Sequence, residues 1–271
     1  MSSDPQTGYA LSMTVIAIIP ARYGSTRFPG KPLHSIAGVP MVERVRRLAL
    51  AAGSVDRVIV ATDDTRILDA VSAAGGEAMM TPQTCRNGTE RSFAAVKDFA
   101  RPDDVIINLQ GDAPLTPPWV IEAVAAEMAA NPELAMATPA VALSDEAYAK
   151  MADAKAAGEV GGTTVVFDRQ MNALYFSKAI IPFQREKTAG TPVYKHIGLY
   201  AYRFATLSRL VEMEPSPLEK AESLEQLRAL ENAIPVRVVL TEYRGRTPWS
   251  VDSPRDAEIA AQIIAREGEI V

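Results

Sequence analysis

Cysteine is nearly absent: Cys85 is the only one in 271 residues. One cysteine excludes an internal disulfide and any multi-cysteine metal site, and fits a reducing cytoplasm. No run approaches the roughly 18 apolar residues of a membrane span. The first dozen residues are polar and lack a basic start and a long apolar core, so no signal peptide is indicated. Met13 is a candidate original start, which makes residues 1–12 an expected disordered tail. There is no basic surplus: the net charge of −5 argues against a nucleic-acid binder. No internal repeat or low-complexity tract stands out, and the chain offers no Ser-His-Asp set. One absence is local. From Pro5 to Val42 there is no acidic residue at all.

What fills that acid-free stretch is an apolar run, Val15 to Ile19, read as a strand buried on both faces, followed by a basic loop. The loop, Pro20-Ala21-Arg22-Tyr23-Gly24-Ser25-Thr26-Arg27-Phe28-Pro29-Gly30-Lys31, carries two glycines, two hydroxyls, two arginines and a lysine. At the carboxyl end of a first strand, an open α/β sheet places an anionic ligand. Gly24 and Gly30 allow close backbone approach, while Arg22, Arg27 and Lys31 supply charge. A solvated basic turn is the plainer alternative. The loop is neither G-x-G-x-x-G nor G-x-x-x-x-G-K-S/T, so a dinucleotide fold or a P-loop ATPase is not supported.

Hydrophobic content of 48% and charged content of 23% are ordinary for a soluble globular chain, and the length suits one large α/β domain. Pro40 opens a helical pattern (Met41, Val42, Val45, Leu48, Ala49, Ala52) ended by Gly53. Val55–Ala61 reads as a second strand, then a helix capped near Asp64, then a short strand from Glu77 to Met80. Strands separated by helices of this length predict a parallel or mostly parallel sheet. Thr84 to Arg91 leads into a helix bearing Phe93, Val96 and Phe99, for which Asn87 or Thr89 is a candidate cap. Val105–Leu109 is a buried strand delivering Gln110-Gly111-Asp112, where an aspartate is well placed for Mg²⁺ or serves structure alone. Pro117–Met128 reads as a helix, Met136–Val141 as a strand, and residues 144–162 as a helical excursion. Thr163–Phe167 and Ala173–Ser177 predict a hairpin. His196 lies in an apolar strand, where a satisfied core histidine is the ordinary expectation. Pro215 to Leu230 reads as one helix with Leu224, Leu227 and Leu230 buried. Ser253, Pro254 and Asp256 form a good helix start, so Asp252 need not be the cap.

Taken together these stretches resemble the CMP-sugar-acid synthetases, and most of all the 3-deoxy-D-manno-octulosonate (Kdo) cytidylyltransferases. The resemblance rests on Ile19-Pro-Ala-Arg-Tyr-Gly-Ser-Thr-Arg-Phe-Pro-Gly-Lys-Pro-Leu33, Gly88-Thr-Glu-Arg91, Gln110-Gly-Asp112, Lys195-His-Ile-Gly-Leu-Tyr200, Pro215-Ser-Pro-Leu-Glu219 with Leu224-Glu-Gln-Leu-Arg228, and Val251-Asp-Ser-Pro254. It implies a Rossmann-like, GT-A-like nucleotidyltransferase over residues 13–271, with acceptor and dimerisation elements at roughly 137–230. It implies transfer of CMP from CTP to the anomeric hydroxyl of a 3-deoxy-2-ulosonic acid, releasing pyrophosphate, for lipopolysaccharide or capsule precursors. By the same resemblance Ala21, Arg22, Ser25, Lys31, Asn87, Gly88, Arg91 and Gln110 contact nucleotide. Asp112 and Asp252 hold Mg²⁺, and Lys178, His196, Tyr200, Glu225 and Gln226 meet the acceptor. A cytoplasmic homodimer is implied as well. Three positions depart from the family: Ala113 replaces a glutamate, Lys178 an arginine, and Gly161-Gly162-Thr163-Thr164 a segment with Asn and Lys. These predict a shifted acceptor preference, toward an amino sugar acid or a phosphonate. A silent nucleotide-binding paralogue is the remaining alternative.

Overall fold

A computed structural model describes residues 13–25, 27–159, 161–185 and 192–271; residues 1–12 and part of the loop after Phe183 lie outside it. Strand β1 (Val15–Ala21) is followed by a single 3-10 turn (Lys31–Leu33), a small ribbon of β2 (Ser35–Ile36) and β3 (Val39–Pro40), and helix α1 (Met41–Leu50). Then come β4 (Arg57–Thr62), α2 (Thr65–Ala73), β5 (Glu77–Met80), α3 (Gly88–Val96), β6 (Val105–Leu109) and α4 (Pro118–Ala130). The second half holds β7 (Met136–Ala142), α5 (Asp145–Ala156), β8 (Thr164–Phe167), β9 (Ala173–Ser177), β10 (Tyr194–His196) and β11 (Leu199–Arg203). It closes with α6 (Phe204–Glu212), α7 (Pro217–Glu222), α8 (Leu227–Glu231), β12 (Val236–Leu240) and α9 (Pro254–Glu267).

One ten-stranded sheet runs β5-β4-β1-β6-β11-β7-β10-β8-β9, with β12 beside β7. The β5-β4-β1-β6 half is wholly parallel. β11 enters antiparallel to both β6 and β7, β10 is antiparallel to β7 and β8, and β8 and β9 form the expected hairpin. With β12 parallel to β7, the strands β1, β4, β5, β6, β7, β8 and β12 share one direction and β9, β10 and β11 oppose it. This is the predicted α/β fold with a mostly parallel sheet.

Period-two alternation in β1 explains its burial on both faces. Ala17 and Ile19 pack with Val42, Val45 and Ala49 of α1 and Ile121 and Val124 of α4. Ile16 and Ile18 pack on the opposite face, in a cluster with Val96, Leu207 and Leu227. Each fully buried valine, leucine or isoleucine side chain among these contributes about 1.5–3 kcal/mol of transfer free energy. Helix α9 lays Ala257, Ala260, Ile263 and Ile264 against Phe28, Ile36 and Met41, so the chain's last helix clamps its first loop.

Two elements differ from the sequence expectation. The stretch 194–203 is not one strand: it breaks at Ile197-Gly198, so that β10 lies between β7 and β8 while β11 lies between β6 and β7. The stretch 215–230 is not one helix either. Ser223 takes a left-handed conformation (φ 50°, ψ 48°), ending α7 and freeing Glu225 and Gln226 from helical spacing before α8 begins. Leu224 and Leu227 are buried as expected, and Leu230 partly so.

Candidate active site

Because β1, β4 and β6 are parallel, their carboxyl ends deliver the basic loop, Thr62-Asp63-Asp64 and Gln110-Gly111-Asp112 to one edge. The basic loop closes on itself: the Tyr23 carbonyl accepts from the amides of Ser25 and Gly30. Gly30 is left-handed (φ 72°) with the Tyr23 ring 3.1 Å from where a Cβ would stand, so a side chain there would be strained twice over. Arg66 caps the other side of that ring, 3.4 Å from its centroid. Ala21 is buried at the end of β1, Ser25 Oγ accepts from the Phe28 amide, and Arg22 is exposed without an ion pair among the described residues.

The Lys31 ammonium gathers the two aspartates. Nζ lies 3.0 Å from Asp112 Oδ2, 3.5 Å from Asp252 Oδ1 and 3.0 Å from the Val251 carbonyl oxygen. Arg27 Nη2 reaches Asp252 Oδ1 at 3.1 Å. Residues 112 and 252 are tied by backbone as well, since the Val251 amide donates to the Asp112 carbonyl. Gly111 makes the turn possible: a Cβ there would stand 2.6 Å from the Pro20 carbonyl oxygen. The cap of α9 falls to Ser253 and Asp256, whose Oδ2 accepts from the amides of Asp252 and Ser253. That leaves the Asp252 carboxylate to face the cleft. Among the described residues no group of three or more His, Cys, Asp or Glu side chains could hold a metal. Two hard carboxylates side by side do fit an ion such as Mg²⁺ that completes its shell with water or phosphate oxygens.

Beside this point lies a cavity of about 220 Å³. Asn87, Gly88 and Gln110 form one wall, and Tyr200, Glu225 and Gln226 the other. Asn87 Oδ1 is spent on capping α3, accepting from the Glu90 amide at 2.8 Å. Burial raises the Glu225 carboxyl above its ordinary range although Thr89 hydrogen-bonds it, and burial also raises the Tyr200 and Tyr202 phenols. Gln226 is 5% exposed and its Nε2 has no hydrogen-bond partner, an unspent donor in the cavity wall.

Three predicted residues stand back from this cavity. Arg91 is buried, donating to Thr81 Oγ1 at 2.6 Å and pairing with Asp63 Oδ2 at 2.8 Å, so its guanidinium locks the ends of β4 and β5. His196 sits behind Tyr200, its ring 5.3 Å from that ring and 5.1 Å from Phe176. Thr138 Oγ1 lies 2.8 Å from His196 Nε2 and donates to the Leu199 carbonyl at 2.7 Å, which assigns the imidazole proton to Nε2. Burial pushes the imidazole down to about 3, so it is neutral. Lys178 follows β9, where Glu222 accepts from its backbone amide and from Ser177 Oγ. Lys155 and Lys195 are its neighbours: burial lowers both, Lys178 adding to the effect on Lys155 and Lys155 to that on Lys195. Among the described residues none of these three ammonium groups forms an ion pair within 4 Å.

The departures at 113 and 164 look different in three dimensions. Neither side chain lines the cavity. Thr164 is fully buried, its hydroxyl donating to the Ala179 carbonyl and accepting from the Ile181 amide. Sequence reading also missed Tyr202 and Thr138, which act through neighbours brought in from other elements, and it took Thr89 for a cap where its side chain hydrogen-bonds Glu225.

Residues 16–238 match a family model described as cytidylyltransferase. A 3-deoxy-manno-octulosonate cytidylyltransferase of Maricaulis maris (strain MCS10) is 62% identical over 96% of this chain and 100% of that protein. An 8-amino-3,8-dideoxy-manno-octulosonate cytidylyltransferase of Shewanella woodyi (strain ATCC 51908 / MS32) is 42% identical over 93% of this chain and 99% of its own length. Among solved structures, CMP:2-keto-3-deoxy-manno-octonic acid synthetase complexed with CTP superposes with a TM-score of 0.83 at 37% identity, covering 94% of this chain and 99% of that one. The match spans the basic loop, both aspartates and both cavity walls, and on it the chain belongs to the cytidylyltransferase family.

Proposed function

We propose that this protein transfers CMP from CTP to the anomeric hydroxyl of a 3-deoxy-2-ulosonic acid, Kdo or a close variant, releasing pyrophosphate. The observation that carries the reading is the convergence of Asp112 and Asp252 on Lys31, with Asp112 two residues along the chain from Gln110, which lines the cavity together with Asn87, Tyr200, Glu225 and Gln226. The acceptor hydroxyl attacks the α-phosphorus in line, and the bond to the β-phosphate oxygen breaks. Such transfer needs positioning and charge neutralisation, with no covalent intermediate. Arg22, Ser25 and Lys31 face the phosphates, Asn87, Gly88 and Gln110 the base, and Arg91 positions that wall. Asp112 and Asp252 would hold Mg²⁺, which when bound neutralises phosphate charge as a Lewis acid. Tyr200, Glu225 and the free Gln226 amide orient acceptor hydroxyls, with His196 fixing the Tyr200 ring. Lys178 attracts the acceptor's carboxylate as a point charge, without an arginine's fork.

The cluster of Lys155, Lys178 and Lys195 favours an acceptor that presents its carboxylate there, with Kdo as the first choice. The convergence of both aspartates favours an enzyme over a silent paralogue. A cytoplasmic homodimer in lipopolysaccharide precursor synthesis completes the proposal. No helix among the described residues is long and apolar enough to cross a membrane.

Pyrophosphate release tests the reading across CTP, UTP, ATP and GTP with Kdo, its 8-amino variant and phosphonates as acceptors. CTP with Kdo should give the highest kcat/KM. Equal rates with UTP would remove the cytidylyl assignment, and a higher kcat/KM for the amino sugar acid would reverse the choice of acceptor.

A further inference from the structure

In this structure Lys31 is held by protein oxygens. Its ammonium has three N–H donors, and three acceptors surround it: Asp112 Oδ2, Asp252 Oδ1 and the Val251 carbonyl. The side chain is 15% exposed, so the contact is partly shielded from solvent. With Arg27 on Asp252, two cations balance two carboxylates. A dication bridging the same carboxylates would stand within a few ångströms of Nζ, where like charges repel well beyond thermal energy. Lysine and metal ion therefore exclude each other from this point. A triphosphate changes the balance, because it brings the negative charge that both the lysine and the dication need.

We propose that Lys31 is the resident counter-ion of Asp112 and Asp252, and that CTP releases the pair for the metal by drawing Lys31 onto its phosphates. Metal and nucleotide binding are then coupled through one side chain, and the dication alone binds weakly. The inference rests on the assignment of Asp112 and Asp252 as metal ligands made above. It keeps the metal site closed until the substrate that needs it arrives.

The test uses Mn²⁺ as probe, with the electron paramagnetic resonance signal of the free ion as readout and no turnover involved. In the full-length protein without nucleotide, Lys31→Met should bind Mn²⁺ about tenfold or more tightly than wild type. The gain should vanish in Lys31→Met/Asp112→Asn and Lys31→Met/Asp252→Asn. Lys31→Gln, which keeps a polar end, should behave like Lys31→Met and guards against a folding defect in either. If wild type binds Mn²⁺ as tightly as both lysine variants, the counter-ion role is overturned. A gain that survives loss of the aspartates overturns it too. A separate arm adds CTP to wild type and to Asp112→Asn/Asp252→Asn and follows water-proton relaxation. Equal enhancement in the two would sink the metal assignment itself, and this inference with it. An aspartate-dependent enhancement, with no gain in the lysine variants, sinks only the coupling.

Discussion

Burial holds the His196 imidazole neutral far below the ordinary histidine range, at about 3, and this fixes the sign of a stability effect. Between about pH 6.5 and 3 the unfolded chain binds a proton there that the folded chain does not, so stability falls as pH falls through that window. The chain has only two histidines, and carboxylates other than the raised Glu225 contribute little above about pH 5. His196→Gln should therefore flatten urea-measured stability between pH 6.5 and 5, with a lower plateau at neutral pH from the lost Thr138 contact. At the cleft, Asp112→Asn and Asp252→Asn should each lower kcat by about a hundredfold or more while leaving the melting transition near wild type. Near-normal turnover in saturating Mg²⁺ would show that the residue is no principal ligand. Lys178→Arg restores a fork, and should lower the acceptor KM with kcat little changed.

At the scale of elements, the turn between α7 and α8 is what turns a helical-looking sequence into a wall of the cavity, the proposed acceptor side. Arg228 anchors it: its guanidinium grips both Glu219 oxygens, at 2.7 and 2.6 Å, and donates to the Leu210 carbonyl at 3.2 Å. Both side chains of the pair are largely buried. Arg228→Ala leaves Glu219 unpaired and should cost about 3–5 kcal/mol in a denaturant titration. Because Glu225 and Gln226 sit in the turn it braces, the acceptor KM should rise more than the CTP KM. A loss spread equally over both substrates would mean that Arg228 supports the whole sheet and not this wall in particular. Gly111 matters for a different reason. Gly111→Ala sets a methyl against the Pro20 carbonyl and should shift Asp112 enough to lower turnover, even if stability drops by only about 1–3 kcal/mol.

At the scale of the molecule, β9 is the sheet's last strand, and Leu174 on it is 62% exposed while Phe183 beyond it is 88% exposed. Exposed apolar side chains of this kind would serve as the interface of the proposed homodimer. Leu174→Asp with Phe183→Asp should yield a monomer by sedimentation. A dimer that persists would place the interface elsewhere. The expected tail at residues 1–12 lies outside the described residues.

The sequence alone determined the parallel half of this sheet, because Val15–Ile19 is wholly apolar, Val105–Leu109 is apolar but for Asn108, and each empties into a glycine-bearing turn. Local chemistry also fixed the caps: Asn87 before α3, and Ser253 with Asp256 before α9. The resemblance supplied the site residues, but not their arrangement. Sequence did not separate Arg91, buried in an ion pair, from Asn87 on the cavity wall, since the two are neighbours on one helical turn and differ only in what lies opposite. Nor did it place Thr164, which reads as a changed acceptor residue and is a buried link between β8 and the segment after β9. The meeting of Lys31, Asp112 and Asp252 was decided by tertiary structure. It takes β6 paired with β1, and α9 clamped on the first loop, to bring charges 140 residues apart within ion-pair reach of one ammonium.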